Sequence, residues 1–165
     1  MNVKSPESFE RPDSFGEGTV WVDRVATRQL VGYNQRGVEI PIGMEQGRVS
    51  PGELLKLALI GCAGMSMDHS TARRLGPDFA MRIFAHGLAD AAEDRYFRID
   101  EEIQLDIDHL SDEERAALAT VIDRVIDAAC TVKRTVVPGA EVHHTFIDAA
   151  GQGSDAGTEA EGQER

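Results

Sequence analysis

Two cysteines, Cys62 and Cys130, are the only thiols in this chain, and they lie far apart in it. Neither has a second cysteine nearby, which excludes a CxxC redox pair and a cysteine-based zinc site. A small secreted disulfide scaffold would carry more cysteines at closer spacing. What is left is two inert buried thiols, or a distant pair that the fold brings together. Cys62 stands among Gly61, Ala63 and Gly64 in an apolar run, where a thiol needs a cation nearby to become a thiolate. His69 is seven residues on, about 10 Å along a helix, and is too far to serve as its base. The other histidines make no metal site. His143 and His144 are neighbours in a predicted strand and point to opposite faces, and Glu141 with His143 supplies only two ligands. The acidic run Asp106 to Asp112 lacks the fifth-position oxygen ligand and the sixth-position glycine of a calcium loop. GxGxxG, GxxxxGK[ST] and GxSxG are all absent.

The elements that must hold the thiols can be read from pattern and punctuation. Ser50-Pro51-Gly52-Glu53 combines an N-cap serine, proline at the first helical position and glutamate at N3, which is a capping box. It opens a helix over residues 51–67 that is apolar on nearly every face and contains Cys62. A helix without a polar stripe is covered by protein all round, and in so small a chain a partner subunit is the natural cover. Before it, short apolar runs at 19–22, 29–33 and 38–42 read as a β-meander, with hairpin chemistry at Asn34-Gln35-Arg36-Gly37. After it, residues 79–87 and 95–108 read as strands. The second alternates, with Phe97, Ile99, Ile103, Leu105 and Ile107 on one face. Ser111-Asp112-Glu113-Glu114 is a second capping box and starts a helix whose apolar stripe runs from Leu118 to Ala129, with Cys130 near its end. Pro138-Gly139 stops the helical region, and residues 141–147 read as a last short strand. The order βββ-α-ββ-α-β predicts an α+β fold with an antiparallel sheet. Residues 1–16 and 149–165 read as flexible tails around a domain spanning 17–148.

The composition narrows the partners. The chain of 165 residues carries 17 Lys+Arg against 29 Asp+Glu, a formal net charge of −12. That balance opposes a sequence-independent grip on nucleic acid and attraction to an anionic membrane surface. No stretch approaches the roughly 18 apolar residues of a spanning helix, and the first residues show no secretory h-region. A soluble, cytoplasmic protein is expected.

Ser50-Pro51-Gly52-Glu53-Leu54-Leu55, followed by Gly61-Cys62-Ala63-Gly64, resembles the [SN]-P-x-[EQ]-L…GC stretch of the OsmC/Ohr family. These are the osmotically inducible and organic hydroperoxide resistance proteins. Cys130-Thr131-Val132 is similar to the family's second signature, a cysteine near the end of the last long helix. The likeness spans residues 18 to 148, in element order as well as motif. It implies a β-meander, a long buried central helix and an intertwined homodimer. It further implies a thiol peroxidase for organic hydroperoxides, with Cys62 peroxidatic and Cys130 resolving. A Cys62 sulfenate would close a disulfide with Cys130, and an external dithiol would restore both, with no cofactor.

The family's peroxidases commonly place a glutamate directly after the motif's proline, where it holds an arginine that activates the thiolate. Here that position is Gly52 and the acid falls one residue later, at Glu53. A shift of one residue turns a helical side chain by about 100°, so Glu53 does not inherit the role. Arg24 is the preferred activating cation, ahead of Arg28 and Arg36. The alternative function is a non-catalytic member that binds a hydrophobic small molecule at the dimer interface or senses redox state. The missing glutamate at Gly52 is the feature that separates the two.

Overall fold

A computed structural model of the chain describes residues 11–140 and 142–143. They divide into two compact units: the second spans Ile40–Ala140, and the first joins the residues up to Glu39 with those after Ala140.

The first unit is built on a hairpin of β1 (Val20–Ala26) and β2 (Gln29–Asn34), antiparallel with Val22 opposite Gly32 and Arg24 opposite Leu30. Trp21 and Tyr33 face each other across it and stack, ring centroids 5.7 Å apart, the kind of aromatic pair that fixes strand register. The expected turn follows β2. The Asn34 carboxamide oxygen accepts from the N–H groups of Arg36 and Val38 at 2.9 and 3.0 Å, and Gly37 takes φ 79°. β3 (Glu39–Ile42) follows that turn.

The second unit is organised by α1 (Pro51–Leu75). Its start is the capping box expected from the sequence. Glu53 N–H donates to Ser50 Oγ at 3.3 Å, and Ser50 N–H donates to Glu53 Oε2 at 2.7 Å. The helix continues past residue 67, the end suggested by the apolar run. Its inward line, Leu59, Ala63, Met67 and Thr71, simply extends every four residues into a segment with a polar outer face. Thr71 is fully buried, and its hydroxyl donates to the Met67 carbonyl at 3.0 Å. Gly64 lets the next strand come close, since a Cβ there would stand 3.3 Å from Met81 Cε and 3.4 Å from Ile83 Cδ1.

β4 (Met81–Asp90) and β5 (Arg95–Leu105) form an antiparallel pair with Ile83 opposite Ile103. The register slips near the turn that joins the two strands. Leu88 faces Arg98, Ala89 faces Tyr96, and Phe97 has no opposite residue. This bulge corrects the simple alternation. Phe97 leaves the apolar face and is 57% exposed, while Tyr96 turns toward the protein. α2 (Asp112–Ala129) opens on the second capping box, Ser111 with Glu114. It buries Leu118, Ile122 and Ile126 against Ala63 and Met67, with Ile83, Ile103 and Leu105 packed around them.

The helical region does not run unbroken to Pro138-Gly139 as the sequence suggests. It stops at Cys130, which takes extended backbone angles of φ −73° and ψ 97°, and a short α3 (Thr131–Val136) begins there. Among the described residues the order is βββ-α-ββ-α-α, an α+β fold. The last strand expected over 141–147 lies outside the described residues apart from Val142 and His143, which are not in a strand. No described helix is long and apolar enough to cross a membrane.

Candidate active site

Cys62 occupies the turn of α1 next to its buried line, beside Ala63, and is half-buried. With Leu57, Ala58, Gly61, Met65 and Ser66 it lines an open, mainly apolar cavity of about 500 Å³. Cys130 is different: it is 0% exposed and sits inside the core cluster. As N-cap of α3 its sulfur accepts from the Lys133 N–H at 3.4 Å. The two cysteines, remote in sequence, therefore meet in the fold as free thiols.

The break at Cys130 has chemical consequences. The first N–H groups of a helix have no carbonyl partner within it. Had α2 continued, the amides of Thr131 and Val132 would be spent on carbonyls four residues earlier. Because the helix restarts, they are available to Cys62. The Val132 N–H does most to hold the Cys62 thiol below its ordinary range, against the opposing effect of burial. The Cys130 thiol, the Thr131 N–H and the Ser66 hydroxyl add to it in that order. Burial pushes Cys130 the other way, with the Lys133 N–H offsetting part of that and the charges of Cys62 and Glu101 reinforcing it. The arrangement is a reachable, acidified thiol with a buried, protonated one donating to it. It suits nucleophilic attack by Cys62, followed by attack of a second sulfur on whatever Cys62 becomes.

Arg24 lies on β1 in the first unit, exposed, and its Nη2 donates to Thr27 Oγ1 at 3.5 Å. Arg28 takes the turn between β1 and β2 with φ 58°, and Arg36 belongs to the Asn34 turn. Glu53 is fully used as a cap, its Oε2 accepting from both the N–H and the hydroxyl of Ser50 at 2.7 Å. These bonds, the backbone one first, hold its carboxyl below the usual range. His69 is exposed. Among the described residues no group of three or more His, Cys, Asp and Glu is placed to hold a metal.

One residue of this region escapes the sequence reading: Tyr96. A Cβ on Gly52 would come within 2.6 Å of the Tyr96 hydroxyl, and one on Gly87 within 2.6 Å of its ring. A side chain at position 52 would therefore require the Tyr96 hydroxyl to shift. The available signal was two glycines inside regular elements, one in the first turn of a helix and one in a strand, each marking a close approach. The Lys56 ammonium lies over the same ring, 5.2 Å from its centroid.

Comparison with known proteins bears on this geometry. No family model matches the sequence. Uncharacterized proteins of Mycobacterium tuberculosis and Mycobacterium bovis are 40% identical over 131 residues, covering 78% of this chain and 96% of theirs. Among solved structures, an osmotic stress induced and detoxification response protein from Psychrobacter arcticus superposes with a TM-score of 0.59 at 18% identity, over 77% of this chain and 93% of that one. A hypothetical protein of Aquifex aeolicus matches equally, TM-score 0.59 at 18% identity, over 77% and 92% of the two chains. An OsmC-like protein of unknown function from Vibrio cholerae gives 0.53 at 12% identity, over 73% and 93%. The fold is that of the OsmC-like proteins. The chain belongs to one family with the mycobacterial proteins and carries that fold.

Proposed function

We propose that the protein is a thiol peroxidase that reduces organic hydroperoxides. The observation that supports this reading is the asymmetric thiol pair: Cys62 acidified at the wall of an apolar cavity, Cys130 buried beside it. The Cys62 thiolate attacks one peroxide oxygen, the O–O bond breaks, and the departing alkoxide takes a proton to leave as an alcohol. Cys62 is then a sulfenic acid. The Cys130 sulfur attacks it, water leaves, and a Cys62–Cys130 disulfide forms. An external dithiol reduces that bond and returns both thiols, so no bound cofactor is required. An apolar cavity favours an organic hydroperoxide over hydrogen peroxide.

Arg24 is proposed as a cation supporting the thiolate. The working unit is proposed to be a homodimer. In the single chain Leu57 is 53% and Met65 84% exposed on the α1 face beside Cys62, an apolar surface that a second copy would cover. Mass spectrometry after one equivalent of cumene hydroperoxide tests the reaction. The expected product is an intramolecular Cys62–Cys130 disulfide. Two unmodified thiols in folded protein would end the peroxidase reading.

A further inference from the structure

α3 is held chiefly by its first turn. None of its six residues is fully buried, although Val132 packs against the core cluster. Its other tethers return to α2: the Lys133 ammonium pairs with Asp127, and Arg134 Nη1 donates to the Ala128 carbonyl at 3.5 Å. A helix this short gains little from propagation, so it depends on how its first N–H groups are satisfied. Sulfur satisfies three of them: the Thr131 and Val132 N–H groups donate to Cys62, and the Lys133 N–H donates to Cys130 Sγ at 3.4 Å. The next one, of Arg134, finds the Cys130 carbonyl at 3.1 Å. The cap of α3 is therefore the thiol pair itself, one sulfur carried by α1 and the other by the break after α2.

We propose that this cap is a redox switch: joining Cys62 and Cys130 in a disulfide uncaps α3 and frays it, while α1 and α2 stay folded. A diazene oxidant such as diamide takes one electron and one proton from each thiol, the sulfur–sulfur bond forms, and the diazene leaves as a hydrazine. Cys62 can then no longer carry the negative charge that makes it a strong acceptor for the Thr131 and Val132 N–H groups. The Cys130 sulfur is drawn toward Cys62 and away from the Lys133 N–H, and what remains of either sulfur is a weak neutral acceptor. The first turn is left to water, and Val132 loses the bonds that hold it to the core. The coupling runs both ways: if oxidation loosens α3, then loosening α3 favours oxidation by the same factor. The switch needs only the two thiols and a two-electron oxidant, so it is independent of the peroxidase reading.

Amide hydrogen exchange of the full-length chain, read by NMR before and after one equivalent of diamide, tests this. In the oxidised chain the amides of Thr131, Val132 and Lys133 should exchange at least tenfold faster than in the reduced one, while those of Leu118 and Ile122 in α2 keep their protection. A cross-link that merely tied neighbouring elements together would slow exchange in α3 instead. The reverse coupling is read in a glutathione buffer. Thr135→Gly and Thr135→Ala differ in helix propensity and leave both sulfurs in place. The glycine variant should hold more disulfide at equilibrium, by up to about fivefold, which is the worth of that exchange within a helix. Unchanged or slower exchange at the three amides, equal disulfide content in the two Thr135 variants, or failure of diamide to join the two thiols overturns the proposal.

Discussion

Cys62 and Cys130 are the same residue type in contact with each other, yet the protein pushes their acidities in opposite directions. Cys62 faces main-chain N–H groups and a cavity; Cys130 faces the interior of the core. Proximity alone therefore does not define a nucleophile. What separates the two is which of them receives donors when its proton leaves, and which is deprived of water.

The strongest way to break that contrast is to remove one sulfur at a time. Cys62→Ser should abolish hydroperoxide consumption, because an alcohol gives neither a thiolate nor a sulfenate. Cys130→Ser should still react once, then accumulate sulfinate at Cys62 and stop after few turnovers. Intact-mass measurement after a single addition of peroxide distinguishes the two outcomes. A Cys62→Ser protein as active as wild type would show that Cys62 is not the nucleophile.

The core that keeps Cys130 dry can be loosened next. Leu118 is 1% exposed and shares that core with Cys130. Leu118→Ala should cost about 2–5 kcal/mol of stability in urea unfolding. The same change should raise the alkylation rate of Cys130 far more than that of Cys62.

In the unaltered protein, iodoacetamide at neutral pH should label Cys62 well before Cys130. The rate for Cys62 should follow a titration centred below the ordinary thiol range. The sign carries over to stability. A depressed thiol pKa stabilises the fold above the unfolded thiol's pKa, and that contribution fades as pH falls through the folded value. Cys130, raised by burial, acts in reverse and disfavours the fold once pH passes the unfolded thiol's pKa. Chemical denaturation of Cys130→Ala and wild type at neutral and alkaline pH should show the wild type losing relative stability at the alkaline end.

Val132→Pro sharpens the comparison further. Proline is tolerated in the first turn of a helix and removes the N–H, so Cys62 should lose its leading donor and alkylate several-fold more slowly at neutral pH. The smallest effect belongs to a position remote from both thiols. Ser111→Ala removes the α2 cap and should lower stability by about 1 kcal/mol, with thiol reactivity unchanged.

The parts of this arrangement that sequence revealed are those written in residue type. Both capping boxes, the Asn34–Gly37 turn, the two cysteines and the β-then-α order are encoded in the identities and spacings of side chains. The rest depends on backbone or on contacts between distant residues. A main-chain N–H is present at nearly every position, so nothing in the letters Thr131 and Val132 marks them as donors to Cys62. The break at Cys130 falls where the apolar stripe reads as one continuous helix, since the stripe reports which face is buried and not where the backbone turns. Tyr96 and Phe97 exchange faces because of a one-residue bulge, which shifts every side chain beyond it. The length of α1 was hidden for a simpler reason: beyond Met67 its inward line continues through Thr71, a polar residue that satisfies its hydroxyl within the helix.

Tyr96 and its two glycines also tie together positions that are distant in sequence. A first side-chain carbon at Gly52 or Gly87 would stand 2.6 Å from the Tyr96 hydroxyl or ring, so either substitution requires the tyrosine to shift. A smaller residue at position 96 would relieve both positions at once, and a side chain at either glycine should be tolerated better in that background than beside the phenol. The three residues are therefore non-additive: the effect of changing one depends on what stands at the other two.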